Sequence, residues 1–200
     1  HSKAIGSHLH KCLINYFSQL EKVDCKWKEL SEEAERPIQA LRNQSEQLRL
    51  VTSKEVKDAE LCKMNEVHER LIFKILMGIT NELVLIFDIL TRFNNINQDL
   101  KNRLKNLEDA RSKASLNEET MKDLINGSPY RPRLNLLLEW AIDAFNHYHE
   151  LYPLMAKIYD YKDEKMIEDL RKSFVEDRFK RSRMDQILGS TQFLIKETVR

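Results

Sequence analysis

The sequence predicts an all-α protein, an elongated helical bundle around one long central helix with coiled-coil-like packing. Three observations carry this. Gly and Pro number only four each in 200 residues, while charged residues make up 32%. That balance favours long helices and short connections. From Met64 to Leu107 apolar residues step by three or four with no proline between them, the seam of a helix packed along its length. An all-β or α/β enzyme of this size would also need more glycine for its turns and ligand loops.

Helical spacing begins at Leu9 and runs through Leu13, Tyr16, Phe17, Leu20, Val23, Trp27 and Leu30. Pro37 lacks an N–H, so it is expected to kink this helix or restart it near residue 35, the stripe resuming at Ile38, Leu41 and Leu48. Thr52 and Glu55 fit a capping box, hydroxyl at N-cap and carboxylate at N3, which places a new helix start there. The central helix is placed at 64–112, roughly 75 Å long. Within it, residues 71–93 are apolar almost all round, yet Lys74, Glu82, Asp88 and Arg92 make a membrane crossing a poor reading. A helix covered on several sides fits better, inside its own bundle or at a subunit interface.

Gly127, Pro129 and Pro132 mark 113–132 as a linker, with a short helix near 118–125. A helix from 133 to 159, bent near Pro153, comes next, then amphipathic pieces over 163–179 and 182–199. The domain reading is a hairpin with the long central helix over 1–112, the linker at 113–132, and a segment over 133–200 that packs back on the bundle.

Net charge is +1, so no global field draws the chain to nucleic acid or membrane. Cys12, Cys25 and Cys62 form no C-x-x-C, and an odd count argues against a disulfide framework. With no signal peptide visible, a reducing compartment is expected, cytosol or nucleus. His147 and His149 point about 200° apart on a helix and cannot share a metal. Cys62 and His68 are poorly spaced for joint ligation, and no Glu-x-x-His is present. The glycines are isolated, so neither a P-loop nor G-x-S-x-G can be built. No metal, no cofactor and no enzymatic activity are expected.

Two stretches remain. "LLEWAIDAFNHYHELYP", residues 137–153, sets Leu137, Trp140, Ala141, Ala144, Tyr148, Leu151 and Tyr152 on one arc. Leu138, Ile142, Phe145 and His149 widen that arc beyond half the circumference, more than one neighbouring helix covers. The candidate partner-interface residues are therefore Trp140, Phe145, Tyr148 and Tyr152, with Leu83 and Phe87 from the central apolar stretch. The second stretch, "RKSFVEDRFKRSR", carries Arg171, Lys172, Arg178, Lys180, Arg181 and Arg183. It reads either as a phosphate or acidic-partner contact or as a solvated face around buried Phe174 and Phe179, and the second reading is favoured.

Several landmarks stand in a recognisable order. They are Tyr16-Phe17, Trp27, Pro37 and Glu46-Gln47-Leu48, then Leu138-Glu139-Trp140, His147-Tyr148 and Tyr152. From about residue 9 to 197 the chain resembles the AIRIM-like ribosome-maturation factors. The resemblance implies a non-enzymatic subunit associated with type II AAA+ ATPases and paired with a CINP-like helical protein. Its task would be cytoplasmic maturation of pre-60S ribosomal particles, by release or recycling of assembly factors, with contact to the particle indirect. A role at replicating chromatin is also attributed to such assemblies, so cytoplasmic and nuclear locations are both expected. Competing readings are a structural coiled-coil subunit of kinetochore or tethering type, self-associating through 64–112, and a weak nucleic-acid binder using 171–183.

Overall fold

The computed structural model describes residues 2–57, 65–115, 119–155, 161–175 and 177–196. Among these the protein is all-α, and its nearest approach to a strand is an isolated bridge between Ser128 and Arg131. The helices are α1 (Ser2–Val51), α2 (Lys54–Lys57), α3 (Asn65–Lys113), α4 (Lys122–Asn126), α5 (Leu134–Met155), α6 (Glu164–Ser173) and α7 (Arg178–Lys196). The long central helix falls where its apolar seam placed it.

Two local expectations need correction. Pro37 does not restart α1, which continues as one helix to Val51. An interior proline forfeits a backbone hydrogen bond and costs about 3 kcal/mol, but Ala34, Ile38 and Leu41 around it are buried and hold the turn in place. The capping box at Thr52 does not form either. Its hydroxyl donates backward to the Leu48 carbonyl at 2.8 Å, closing α1, while the expected turn and new helix start do follow, as α2 from Lys54. The helix expected to reach Tyr159 is described to Met155 and runs through Pro153; residues 156–160 lie outside the described residues.

The chain divides into two compact units that are discontinuous in sequence. The first takes His1–Trp27, Asn94–Leu151 and Glu176–Arg200. In it α5 runs parallel to α1, since Tyr16 Oη donates to the Ala141 carbonyl and Tyr148 Oη to Asp24, both at 2.6 Å. Helix α7 runs antiparallel to α5, as Lys180 meets Glu150 and Arg183 meets Asp143. Its core interleaves Leu13, Phe17, Leu20, Leu100, Leu104, Leu137, Trp140, Met184 and Ile187, the inward rows of a helical bundle. The stretch after α3 is packed too. Ala114, Met121 and Leu124 are buried, and the short helix expected there appears as a 3-10 turn at Glu119–Met121 leading into α4. Gly127 ends α4 at φ 71°, a backbone region only glycine enters cheaply.

The second unit takes Lys28–Phe93 and Tyr152–Val175. Here α1 and α3 form an antiparallel pair. Arg92 bonds Glu33, the Gln44 amide lies against Gly78, and His68 donates to the Val51 carbonyl at 2.9 Å. Helix α6 is capped by Asp163, whose carboxylate accepts from the Lys165 N–H at 2.9 Å. Arg42 and Arg49 both reach Glu164 at its first turn. Ile38, Leu41, Ile75, Ile79, Ile86, Leu90, Ile167 and Leu170 are buried in this unit.

Candidate interaction surface

The aromatic stripe of α5 separates into an inward and an outward row. Inward, Trp140 is 4% exposed and Tyr148 fully covered. Both therefore lie in the core of their own unit. Tyr148 ties the packing together: its hydroxyl donates to Asp24, and its carbonyl accepts from Asn97 Nδ2 at 3.0 Å. Asp24 is 3% exposed and accepts a second, charged partner, the Arg181 guanidinium, with Nη2 at 3.2 Å. Arg181 also bonds Asp185 one turn along α7. Opposite charges buried together with a phenol satisfy one another, where any one of them alone would be costly. Burial also pushes the Tyr16 phenol well above its ordinary range. The Trp140 indole N–H, by contrast, finds no acceptor among the described residues.

Outward, Leu138, Ile142, Phe145 and His149 follow at four, three and four residues. Ile142 is 46% exposed, Leu138 and Phe145 are half-buried, and Phe145 stacks on the His149 ring at 5.1 Å. Tyr152, also half-buried, belongs to the second unit. Among the described residues this row is the more open part of the wide apolar arc.

A larger uncovered face lies on α3. Ile75, Ile79, Ile86, Leu90 and Phe93 are buried, while Phe73, Met77, Val84, Leu85 and Phe87 are exposed, Phe73 by 66%. Leu83 is half-buried. Of the two explanations for the apolar 71–93 stretch, enclosure by its own bundle is thus only half true. Single exposed apolar residues are ordinary, whereas a contiguous row of this kind is a candidate interaction surface. No helix among the described residues is long and apolar enough to cross a membrane.

Among the described residues, no group of three or more His, Cys, Asp or Glu could hold a metal. Burial pushes the Cys12 thiol up, away from the thiolate form that reacts, and Cys62 lies outside the described residues. A family model described as "Ribosome biogenesis protein C1orf109-like" matches residues 7–193. The chain belongs to this family. It is a ribosome biogenesis family, the same family that the Tyr16, Trp27, Trp140 and Tyr148 landmarks resemble. No curated protein and no solved structure matches the chain.

In this family member the basic run at 171–183 is largely neutralised from within. Arg171 and Lys172 share Glu168, Lys180 pairs with Glu150, Arg181 with Asp24 and Asp185, and Arg183 with Glu139 and Asp143. The Arg171 hydrogen bond holds the Glu168 carboxyl below its ordinary range. Arg178 is exposed. One expectation fails here: Phe179 is not buried beneath the charges but 87% exposed, and Phe174 is only half-buried. The cause is the cap of α7, where Asp177 accepts from the Phe179 N–H at 2.8 Å and starts the helix with that ring outside.

Sequence reasoning missed Asp24, the polar centre of the first unit. Its signal was present: it sits between Leu20, Val23 and Trp27 at helical spacing, so a carboxylate was on the inward arc and had to find a partner.

Proposed function

We propose that this chain is a non-enzymatic adaptor in the cytoplasmic maturation of pre-60S ribosomal particles. In this reading it pairs with a CINP-like helical protein and docks on type II AAA+ ATPases, which do the mechanical work of releasing or recycling assembly factors. Membership of a ribosome biogenesis family supports the process. The observation that carries the adaptor role is the outward row of α5. Leu138, Ile142 and Phe145 form a partly exposed row, with Ile142 the most open, on a helix whose other side is locked by Tyr148 and Trp140. Apolar side chains on a rigid support lose little freedom on docking, and such anchors carry most interface energy. Work in both cytoplasm and nucleus is compatible with a subunit that brings no catalytic chemistry of its own.

The test is co-purification from cells carrying Ile142→Glu or Phe145→Glu. Ile142 is exposed and such substitutions shift stability by about 0.5 kcal/mol, so Ile142→Glu is expected to fold; Phe145 is half-buried, so thermal unfolding of Phe145→Glu is compared with the parent. Loss of the AAA+ subunits and of the CINP-like partner, with accumulation of pre-60S particles that retain assembly factors, is the expected result. Full retention of both partners by both variants would sink the reading.

A further inference from the structure

The outer face of α3 has an order that mere exposure does not require. Phe73, Met77, Thr80, Val84, Phe87 and Thr91 step by four and three in strict alternation, a second heptad seam on the side of α3 away from Ile75, Ile79 and Ile86. It runs about 27 Å along the helix. The two threonines do not interrupt it, because each hydroxyl is spent on its own helix. Thr80 Oγ1 donates to the Leu76 carbonyl at 2.9 Å and Thr91 Oγ1 to the Phe87 carbonyl at 2.8 Å.

We infer that a second copy of this chain docks antiparallel on this seam, forming a two-fold dimer. What selects the occupant is the charge pattern beside the seam. One flank reads Lys74, Asn81, Asp88, a cation, a neutral amide and an anion at seven-residue intervals. In an antiparallel pair of identical helices like flanks face each other, so Lys74 meets the partner's Asp88 twice over, and Asn81 meets the partner's Asn81 at the axis. The same register sets Met77 against the partner's Phe87 and Val84 against the partner's Thr80. On the other flank half-buried Leu83 lies beside the partner's Leu83. A parallel pair would gain Glu69 beside the partner's Lys74 but set Leu83 against the partner's Asp88. Among the described residues Lys74 has no ion-pair partner, and the Asp88 side chain is 62% exposed although Arg92 already touches it.

The experiment uses the full chain, its mass followed by light scattering and sedimentation up to about 100 μM, where even a weak specific dimer is populated. A species of twice 23.8 kDa is expected. Val84→Glu should leave a monomer with unchanged helicity and melting. Lys74→Glu and Asp88→Lys should each weaken dimerisation about five- to tenfold by setting like charges together. The double exchange should restore it to within about threefold, because every pair is again opposite in sign. A monomer at all concentrations, a dimer indifferent to Val84→Glu, or a double variant as weak as the singles would each overturn the inference. The α5 row takes no part in this interface, so such a failure would leave the adaptor reading standing.

Discussion

Asp24, Tyr148 and Arg181 bring a carboxylate, a phenol and a guanidinium into the interior of one unit. Removing one charge of a buried pair leaves the other uncompensated and costs about 3–5 kcal/mol. Arg181→Met is therefore expected to lower unfolding stability by that much in denaturant titration, while Arg181→Met with Asp24→Leu should be less damaged than Arg181→Met alone. Equal damage would mean the pair is not coupled. Tyr148→Phe removes one hydrogen bond to a charged group, a loss of about 1.5–3 kcal/mol. Tyr16 gives a pH signature. Its phenol is held neutral in the folded state, with its titration raised above the unfolded value near 10. That contribution is complete below about pH 10 and is lost as pH climbs toward the folded value. Tyr16→Phe should thus lose about 1 kcal/mol at neutral pH with its bond to Ala141, yet decline less steeply between about pH 10 and 11. An unchanged alkaline slope would remove Tyr16 from this role. None of these partnerships could be read beforehand. Arg181 looked like one more cation in a run because its carboxylate lies 157 residues away.

At the scale of the helix, what could be read from sequence was periodicity, and what could not was the outcome of local competition. The 64–112 seam named α3 almost to its ends because forty residues of consistent spacing leave one solution. The restart at Pro37 and the capping hydrogen bond at Thr52 were misread because each signal is a few residues long and packing decides it. Pro37 offers a direct measurement. Pro37→Ala regains the interior helix cost of about 3 kcal/mol and gives up two buried methylenes, about 1.6 kcal/mol. A net gain of about 1 kcal/mol is expected from thermal unfolding; a loss would show that the ring's packing outweighs the backbone. Gly127 should behave oppositely. A Cβ there would sit 2.7 Å from the Arg131 carbonyl at a φ of 71°, so Gly127→Ala should cost about 1–2 kcal/mol in the same assay.

For the molecule as a whole, the all-α class and the absence of phosphate-loop or metal-ligand spacing were plain in composition and motif. The division into two units was not, because each gathers stretches far apart in the chain. Nor could sequence reveal that the basic run is balanced by acids on α1, α5 and α6. The neutralised run carries an expectation: single-stranded RNA should bind no tighter than about 10⁻⁴ M at physiological salt, the weak end of non-specific association. Fluorescence anisotropy at two salt concentrations checks it, and a steep salt slope with micromolar affinity would contradict it.

The reach from Asp24 to Arg181 also sets a clock. A ribosome adds about 5–20 residues per second, so the 157 residues between them take about 8–30 s to emerge. Throughout that interval the first helix carries a carboxylate whose buried counter-charge has not yet been made. The hairpin of α1 and α3 in the second unit draws on residues 28–93 and is complete long before. A nascent chain therefore holds one half-built core open to its surroundings until α7 appears, and that unit can close only once Arg181 has emerged.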